Sequence, residues 1–297
     1  GMHQWIADPN YPDWAFPFPA GYSACGVIEE VGGDVTAFAV GQRVVIPGKH
    51  RSHAIHPSVA TDMTHGCWRV PDGVPSEVAA FGCITRYGWG AAARVGTTMG
   101  RSVFVQGLGI VGQSAVRAFA AAGAYPVIGL DPMPNRRETA LAGGATACLD
   151  PTSDDFAEKA SELLGGEALA DIVADASGAP AGVVQAMSLT QEGGQCVIVG
   201  SPRGLADGVN FYPDMHKRCI EVLGAHGDYL WWNLGARLGW NVDKAMNWIL
   251  AQFGTGRMVA DGMPTATFAP SEAQSVYDSL LNEKDTIVSA AFDWSKV

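Results

Sequence analysis

The sequence has few charged residues and lacks the features of several protein classes. Charged residues make up 16% of its 297 residues, and 19 basic against 30 acidic residues give a formal net charge of −11. This balance argues against a nucleic-acid or acidic-membrane binder and favours small-molecule partners. The most apolar stretch, residues 103–130, is interrupted by Gln, Arg and several Gly residues. No membrane-spanning segment is therefore predicted.

Cysteine patterns that build metal or disulfide scaffolds are also missing. The six cysteines are widely spaced and none forms a CxxC pair, which excludes a zinc knuckle and a dense disulfide framework. No secretory signal is recognised at the start of the sequence. These observations predict a protein of the reducing cytoplasm.

The distribution of apolar residues indicates an α/β protein with a β-rich first part. About 60 residues at the start contain short β-branched runs separated by Gly and Pro, which is typical of strands. From about residue 100, predicted strands alternate with segments of helical spacing, and this alternation favours a parallel sheet covered on both faces. The strands are predicted at residues 103–105, 127–130, 172–174, 196–199 and 220–223. Later elements are predicted at 243–253 (helix, capped by Asn241 or Asp243), 271–282 (helix, capped by Ser271) and 287–292 (strand).

A glycine motif follows the first of these strands. It fits GxGxxG and consists of Gly107, Leu108, Gly109, Ile110, Val111 and Gly112. In the strand-to-helix context, the first glycine permits a tight turn, the second leaves room for a pyrophosphate and the third allows close helix packing. The helix start would then present free amides to the phosphates. The motif predicts a dinucleotide site.

The residues after the next strand favour NAD as the dinucleotide. Asp131 closes that strand and can accept both ribose hydroxyls, while its charge would repel the 2′-phosphate of NADP. Arg136 lies nearby and could instead hold a 2′-phosphate. NAD is therefore predicted, with NADP as the alternative.

Together with the glycine turn, several ordered motifs resemble the medium-chain dehydrogenase/reductases, the superfamily of the zinc alcohol dehydrogenases. They are Gly41-Gln42-Arg43-Val44, Pro75 to Cys83, Gly88-Trp89-Gly90, Gly143-Gly144-Ala145 and Asp175-Ala176-Ser177-Gly178. The resemblance implies a Rossmann doubly wound parallel sheet at residues 94–239, inserted in a GroES-like catalytic domain of residues 1–93 and 240–297. It also implies opening strands upstream of about residue 17, so an N-terminally truncated catalytic domain is expected. Ser177 and Gly200 are expected to complete the cofactor site.

The sequence departs from the zinc-dependent members of this superfamily. Where their Gly-His-Glu motif supplies a zinc ligand, this chain has Gly21-Tyr22-Ser23, and a phenol is a poor zinc ligand because it must first lose a proton of pKa about 10. Cys83 matches a later ligand, but the first ligand and the four-cysteine structural lobe have no counterpart. No zinc is expected. His50, His53 and His56 follow at three-residue steps and are interpreted as ordinary polar residues of a β-rich lobe.

Without zinc, the substrate oxygen must be polarised by hydrogen-bond donors. Tyr22 is the first candidate, with packing in the vacated metal cavity as its alternative, and Tyr87 and Thr85 are weaker candidates. An aromatic group is expected to form core or interface, or to line an apolar pocket; it consists of Trp5, Tyr11, Trp14, Phe16, Phe18, Trp231 and Trp232.

The resemblance implies a zinc-independent, NAD(P)-dependent oxidoreductase that transfers hydride between the nicotinamide and an alcohol/carbonyl or enone substrate. The alternative is a nucleotide-binding family member without turnover, either a sensor or interaction protein or a truncated product. The superfamily further implies a homodimer formed through the sheet edge at Ile220 to Gly224.

Overall fold

The computed structural model describes residues 17, 19–61, 65–166, 168–227, 239–283 and 285–297. The seven residues of the predicted aromatic group lie outside these ranges. Within the described chain, no helix combines the length and the apolar character that crossing a membrane requires.

Short strands form an antiparallel sheet in the first part of the chain. They are β1 (Ser23–Val27), β2 (Arg43–Pro47) and β3 (Trp68–Arg69), in the order β1-β2-β3. This sheet confirms the predicted β-rich start. Two helices follow it, α1 (Ser76–Ala79) and α2 (Gly82–Val95), and neither was predicted as an element.

A six-stranded parallel sheet forms the centre of the molecule. Its strands are β4 (Val103–Gln106), β5 (Val127–Leu130), β6 (Ala147–Leu149), β7 (Ala170–Asp175), β8 (Thr190–Ile198) and β9 (Glu221–Gly224). Their spatial order is β6-β5-β4-β7-β8-β9. The chain adds β5 and β6 on one side of β4 and then crosses over to add β7, β8 and β9 on the other side. In open parallel sheets, ligands bind beyond the carboxyl ends of the two strands between which the strand order switches sides, here β4 and β7.

Helices connect these strands, as the alternating pattern predicted. They are α3 (Ile110–Ala121), α4 (Pro134–Ala142), α5 (Phe156–Leu164) and α6 (Pro180–Leu189). The β4 and β5 side chains are buried along their whole length. A strand buried on both faces carries an apolar run instead of an alternating pattern, which explains why Val103 to Val105 and Val127 to Leu130 are readable in the sequence.

The last part of the chain contains two helices and two short strands. They are α7 (Val242–Gly254), β10 (Ala266–Phe268), α8 (Ala273–Asn282) and β11 (Ala290–Phe292), and β10 pairs with β11 in parallel. The predicted start of α7 is confirmed because the Asn241 side chain caps it, accepting from the Lys244 amide at 2.8 Å. The predicted Ser271 cap is wrong. A 3₁₀ turn (Pro270–Glu272) precedes α8, and the Glu272 carboxylate instead accepts from the Ala269 amide.

Candidate functional site

The glycine motif forms a tight turn between β4 and α3. Gly107 has φ +80°, and a Cβ there would lie 2.8 Å from the Ser177 backbone. A Cβ on Gly112 would meet the Gly107 carbonyl oxygen at 1.8 Å, so the helix approaches the turn only because this residue is glycine. In contrast, the space beside the Gly109 Cα is open, with no atom within 4 Å of a Cβ.

The start of α3 lies beside this open space. Gly109 is the residue before the helix, and no side chain caps its first turn. The first amides of a helix have no intrahelical acceptor and attract anions. Ile110 and Val111 are half-buried. The turn therefore offers amides and room to a pyrophosphate, as the dinucleotide prediction requires.

Asp131 binds the glycine turn to the end of β5. Its carboxylate side chain is only 3% exposed, and it accepts from the Leu108 amide at 2.8 Å and the Met133 amide at 2.9 Å. Arg136 pairs with the same carboxylate at 3.3 Å. The sequence predicts a ribose contact at Asp131 but gives no sign of this structural role. A carboxylate has about four acceptor positions and three are taken here, so two ribose hydroxyls could both bind only if Arg136 moved away.

The two arginines near Asp131 have different partners. Arg137 donates to the carbonyls of Asp131 and Pro132 and lies 3.6 Å from the Asp150 carboxylate. Only Arg136 contacts the Asp131 carboxylate, and its side chain is 28% exposed. Arg136 is therefore the arginine placed to respond to a ribose or to a 2′-phosphate.

The structure places Ser177 and Gly200 next to the glycine turn. Ser177 follows β7 and is exposed, and a Cβ on Gly200, just after β8, would lie 2.6 Å from the Gly178 amide. The Gly200 amide donates to the Asp175 carbonyl at 2.9 Å. The ends of β4, β7 and β8 thus meet at one place, although the cofactor contacts of these residues stay predictions.

Tyr22 lies where the antiparallel sheet begins. Its side chain is 42% exposed, and burial of the hydroxyl raises the phenol pKa, opposed by the positive charge of Arg203. Cys83 is 2% exposed, and burial raises its thiol pKa, opposed by Arg86 and Ser23. The structure therefore brings Cys83 close to Ser23, the residue after Tyr22.

Two weaker catalytic candidates lie on α2. Thr85 is completely buried and its hydroxyl donates to the Phe81 carbonyl at 2.9 Å, so it has no access to solvent. Tyr87 is half-buried and packs against the core. Their catalytic roles stay predictions.

The three spaced histidines have separate partners. His50 Nε2 lies 3.0 Å from the Tyr277 hydroxyl, His53 lies 3.5 Å from the Glu29 carboxylate, and the His56 ring is tilted against His65. Among the described residues, no three His, Cys, Asp or Glu side chains are grouped closely enough to hold a metal ion.

Comparison with known families identifies both parts of the chain. Residues 3–107 match the alcohol dehydrogenase GroES-like domain, and residues 111–229 match the zinc-binding dehydrogenase family. The glycine turn spans the junction of the two matches. The chain therefore belongs to the medium-chain dehydrogenase/reductase superfamily, as the sequence motifs predicted.

Individual relatives agree with this family. The chain is similar to D-guloside 3-dehydrogenase of Escherichia coli K12, with 29% identity over 206 residues, 69% of this chain and 58% of the relative. It is 30% identical to sorbitol dehydrogenase of Bacillus subtilis over 211 residues, 63% of this chain and 60% of that protein. The chain thus spans about three fifths of the length of these relatives.

A solved structure shows the same fold. The 2R,3R-butanediol dehydrogenase of Bacillus subtilis superposes with a TM-score of 0.73 at 21% identity, covering 96% of this chain and 86% of that one.

The buried carboxyl group of Asp175 generates a prediction on stability. Asp175 is fully buried and accepts from the Gln106 side chain and the Ser177 amide, both at 3.2 Å, while Oδ2 has no partner among the described residues. Burial raises its pKa. Because the folded-state pKa exceeds the unfolded value of about 3.9, stability falls as pH rises through the folded-state pKa. Asp175→Asn keeps the shape without the charge.

We expect Asp175→Asn to melt about 2–4 °C above the parent protein at pH 7, the shift that about 1 kcal/mol gives at this size. The difference should shrink at pH 4. Thermal unfolding followed by circular dichroism at both pH values measures it, with the exposed Asp207→Asn as the control. Equal destabilisation at both pH values would contradict a raised pKa.

Proposed function

We propose that this chain is a zinc-independent oxidoreductase that uses NAD and transfers hydride between the nicotinamide and an alcohol/carbonyl or enone substrate. The observation that carries the proposal is the glycine turn at the carboxyl edge of the parallel sheet, with open space at Gly109 and an uncapped helix start beside it. Family membership supports the reaction class, since the relatives are named as dehydrogenases.

The residues of the turn fit a dinucleotide. The amides of Gly109, Ile110 and Val111 would hold the pyrophosphate, and Asp131 would accept the ribose hydroxyls when Arg136 moves from it. Bound NAD(H) would accept or supply the hydride. Ser177 and Gly200, at the ends of neighbouring strands, would complete the site.

The choice of NAD rests on Asp131. Two backbone amides hold its carboxylate at the end of β5, so the acid cannot readily turn away from the site. A 2′-phosphate there would meet a negative charge whose partner, Arg136, is already paired. This geometry supports NAD over NADP.

The side chains around Tyr22 do not fit a zinc ion. Catalytic zinc is held by three protein ligands, usually thiolates, imidazoles and carboxylates, whereas beside Cys83 this chain offers the phenol of Tyr22, which must lose a proton of pKa about 10 before it can bind a metal. Arg203, whose positive charge acts on Tyr22, would also repel a metal cation. The chemistry of these donors supports a mechanism without zinc.

Tyr22 would then polarise the reacting oxygen. A phenol with a raised pKa keeps its proton at neutral pH and can donate it to an oxygen that becomes alkoxide-like or enolate-like. Tyr22 is 42% exposed, which leaves it accessible to substrate.

The proposal includes a homodimer and a reducing compartment. The β9 strand (Glu221–Gly224) lies at one edge of the six-stranded sheet, and a second copy would pair with it there. All six cysteines are free, which agrees with a cytoplasmic protein.

Coenzyme binding provides the first experiment. We expect NADH to bind at one equivalent, with an affinity at least tenfold higher than that of NADPH, when the purified protein is titrated by nucleotide fluorescence. Arg136→Gln should leave NADH binding within about threefold, because the ribose displaces this side chain. Tight NADPH binding that Arg136→Gln abolishes would contradict the choice of NAD, and stoichiometric zinc in the same sample would contradict the metal-free mechanism.

The role of Tyr22 provides the second experiment. On a substrate found among alcohols, aldehydes and quinones, Tyr22→Phe should lower kcat about 10²-fold, the usual contribution of a positioned proton donor, with NADH affinity unchanged. Tyr125→Phe is the matched control, because Tyr125 is exposed and lies before β5, at the opposite end of the sheet from the candidate site, and it should change kcat less than about threefold. An unchanged kcat in Tyr22→Phe would assign Tyr22 to packing. NADH binding without turnover of any compound would favour the nucleotide-binding protein without activity.

A further inference from the structure

Two buried polar side chains lie at the ends of the two central strands. Gln106 ends β4 and Asp175 ends β7, and the two residues are paired in register. Both side chains are buried, although each could bond to water at the surface. Ligands of this type of fold bind beyond the carboxyl ends of these strands, where the strand order switches sides. The pair therefore borders the place where the cofactor is expected.

The Asp175 carboxyl connects three parts of the sheet edge. Its Oδ1 accepts from Gln106 Nε2 and from the Ser177 amide, both at 3.2 Å. Gln106 Nε2 also donates to the Gly182 carbonyl of α6 at 2.9 Å. These hydrogen bonds join the end of β4, Ser177 and the first turns of α6 into one network.

Ser177 fits closely between the glycine turn and α6. A Cβ on Gly107 would lie 2.8 Å from the Ser177 backbone, and a Cβ on Gly182 would lie 2.2 Å from the Ser177 hydroxyl oxygen. Ser177 is nevertheless exposed, so one side of it faces the solvent at the candidate site. A displacement of Ser177 would therefore alter the glycine turn or the space beside it.

The main chain of Asp175 holds the neighbouring strand end. Its carbonyl accepts from the Val199 and Gly200 amides, both at 2.9 Å. Asp175 thus holds Ser177 through its side chain and Gly200 through its carbonyl. These are the two residues that are expected to complete the cofactor site beside the glycine turn.

We propose that Asp175 and Gln106 are positioning residues for the cofactor: the Asp175 carboxyl, held by the Gln106 amide, fixes Ser177 beside the glycine turn before the nucleotide binds. Because both side chains are buried, they act on the ligand through Ser177. A site that is already ordered binds more tightly, since binding does not have to order it. This inference deepens the proposed function and rests on it for the identity of the ligand.

Hydrogen exchange tests the positioning of Ser177 without any cofactor. Asp175→Ala removes the acceptor of the Ser177 amide, so we expect exchange in residues 176–179 to become at least tenfold faster. Asp175→Asn keeps an oxygen acceptor and should stay within threefold of the parent protein. The amides of Val199 and Gly200 are the internal control, because their acceptor is a main-chain carbonyl that both variants retain. Mass spectrometry of the exchanged peptides measures both segments.

Cofactor affinity tests the consequence for binding. Asp175→Ala and Gln106→Met should each weaken NADH binding at least tenfold, and Asp175→Asn should stay within threefold of the parent protein. Combining Asp175→Ala with Gln106→Met should add less than threefold to the larger single effect, because the two side chains act through one network. Titration followed by nucleotide fluorescence measures these affinities.

Asp171→Ala is the matched control, since Asp171 lies near the opposite end of the same strand. Its carboxylate accepts from the Ser102 amide at 2.8 Å and the Ser102 hydroxyl at 2.7 Å, so this variant also loses hydrogen bonds of a strand end. It should lower the melting temperature and leave NADH affinity within twofold.

The proposal is overturned by unchanged exchange in residues 176–179 or unchanged NADH affinity in Asp175→Ala. An equal loss of affinity in Asp171→Ala would also overturn it, because general destabilisation would then explain the effect. If Asp175→Ala does not fold, exchange and NADH affinity in Gln106→Met decide the matter by the same criteria. A parent protein that does not bind NADH would instead refute the proposed function, and faster exchange in Asp175→Ala would still support the positioning of Ser177.

Discussion

The candidate site depends on how the Leu108 peptide in the glycine turn is held from both sides. Its amide donates to the Asp131 carboxylate at 2.8 Å, and its carbonyl accepts from the Gln113 side chain at 3.0 Å. Gln113 also donates to the Arg136 carbonyl at 2.9 Å. The turn, the acid after β5 and the start of α4 therefore form one buried hydrogen-bonded unit. Such a unit fixes the backbone of the turn, so the free amides at the start of α3 are in place before a ligand binds.

The same unit extends to the last part of the chain through Arg117. This side chain is 1% exposed, and it donates to Gln113 and to the carbonyls of Val259 and Asp261. Burial lowers its pKa to about 10, which still leaves it charged at neutral pH. Removing a buried charged donor would leave these carbonyls without a partner, at a cost of about 1–3 kcal/mol for each. Residues 259–261 are thus held by hydrogen bonds to α3, the helix that begins at the glycine turn.

Much of the fold was predictable because its core strands are short apolar runs next to glycine turns. The parallel strands and α3 follow this pattern, and the motif at residues 107–112 needs its glycines for reasons of local geometry. The α2 helix was missed because Gly82, Gly88 and Gly90 weaken the helical pattern, although they lie inside the helix. The surroundings of Tyr22 were predictable only in part. Tyr22 departs from a family motif and is visible in the sequence, but Arg203 and Tyr277, whose electrostatic effects act on its phenol, are distant along the chain and carry no local signal.

Binding of ADP-ribose tests the account most directly, because this fragment contains the pyrophosphate and both riboses but lacks the nicotinamide. We predict one equivalent bound by calorimetry, and at least a 100-fold loss in Gly109→Val, whose side chain would enter the space meant for the pyrophosphate. Gly109 has φ −66°, so valine fits the backbone there and the variant should fold. Gly26→Val, in open space on β1, is the control and should bind as the parent protein does. A folded parent protein that does not bind ADP-ribose, or a Gly109→Val variant that binds it equally well, would contradict the dinucleotide site.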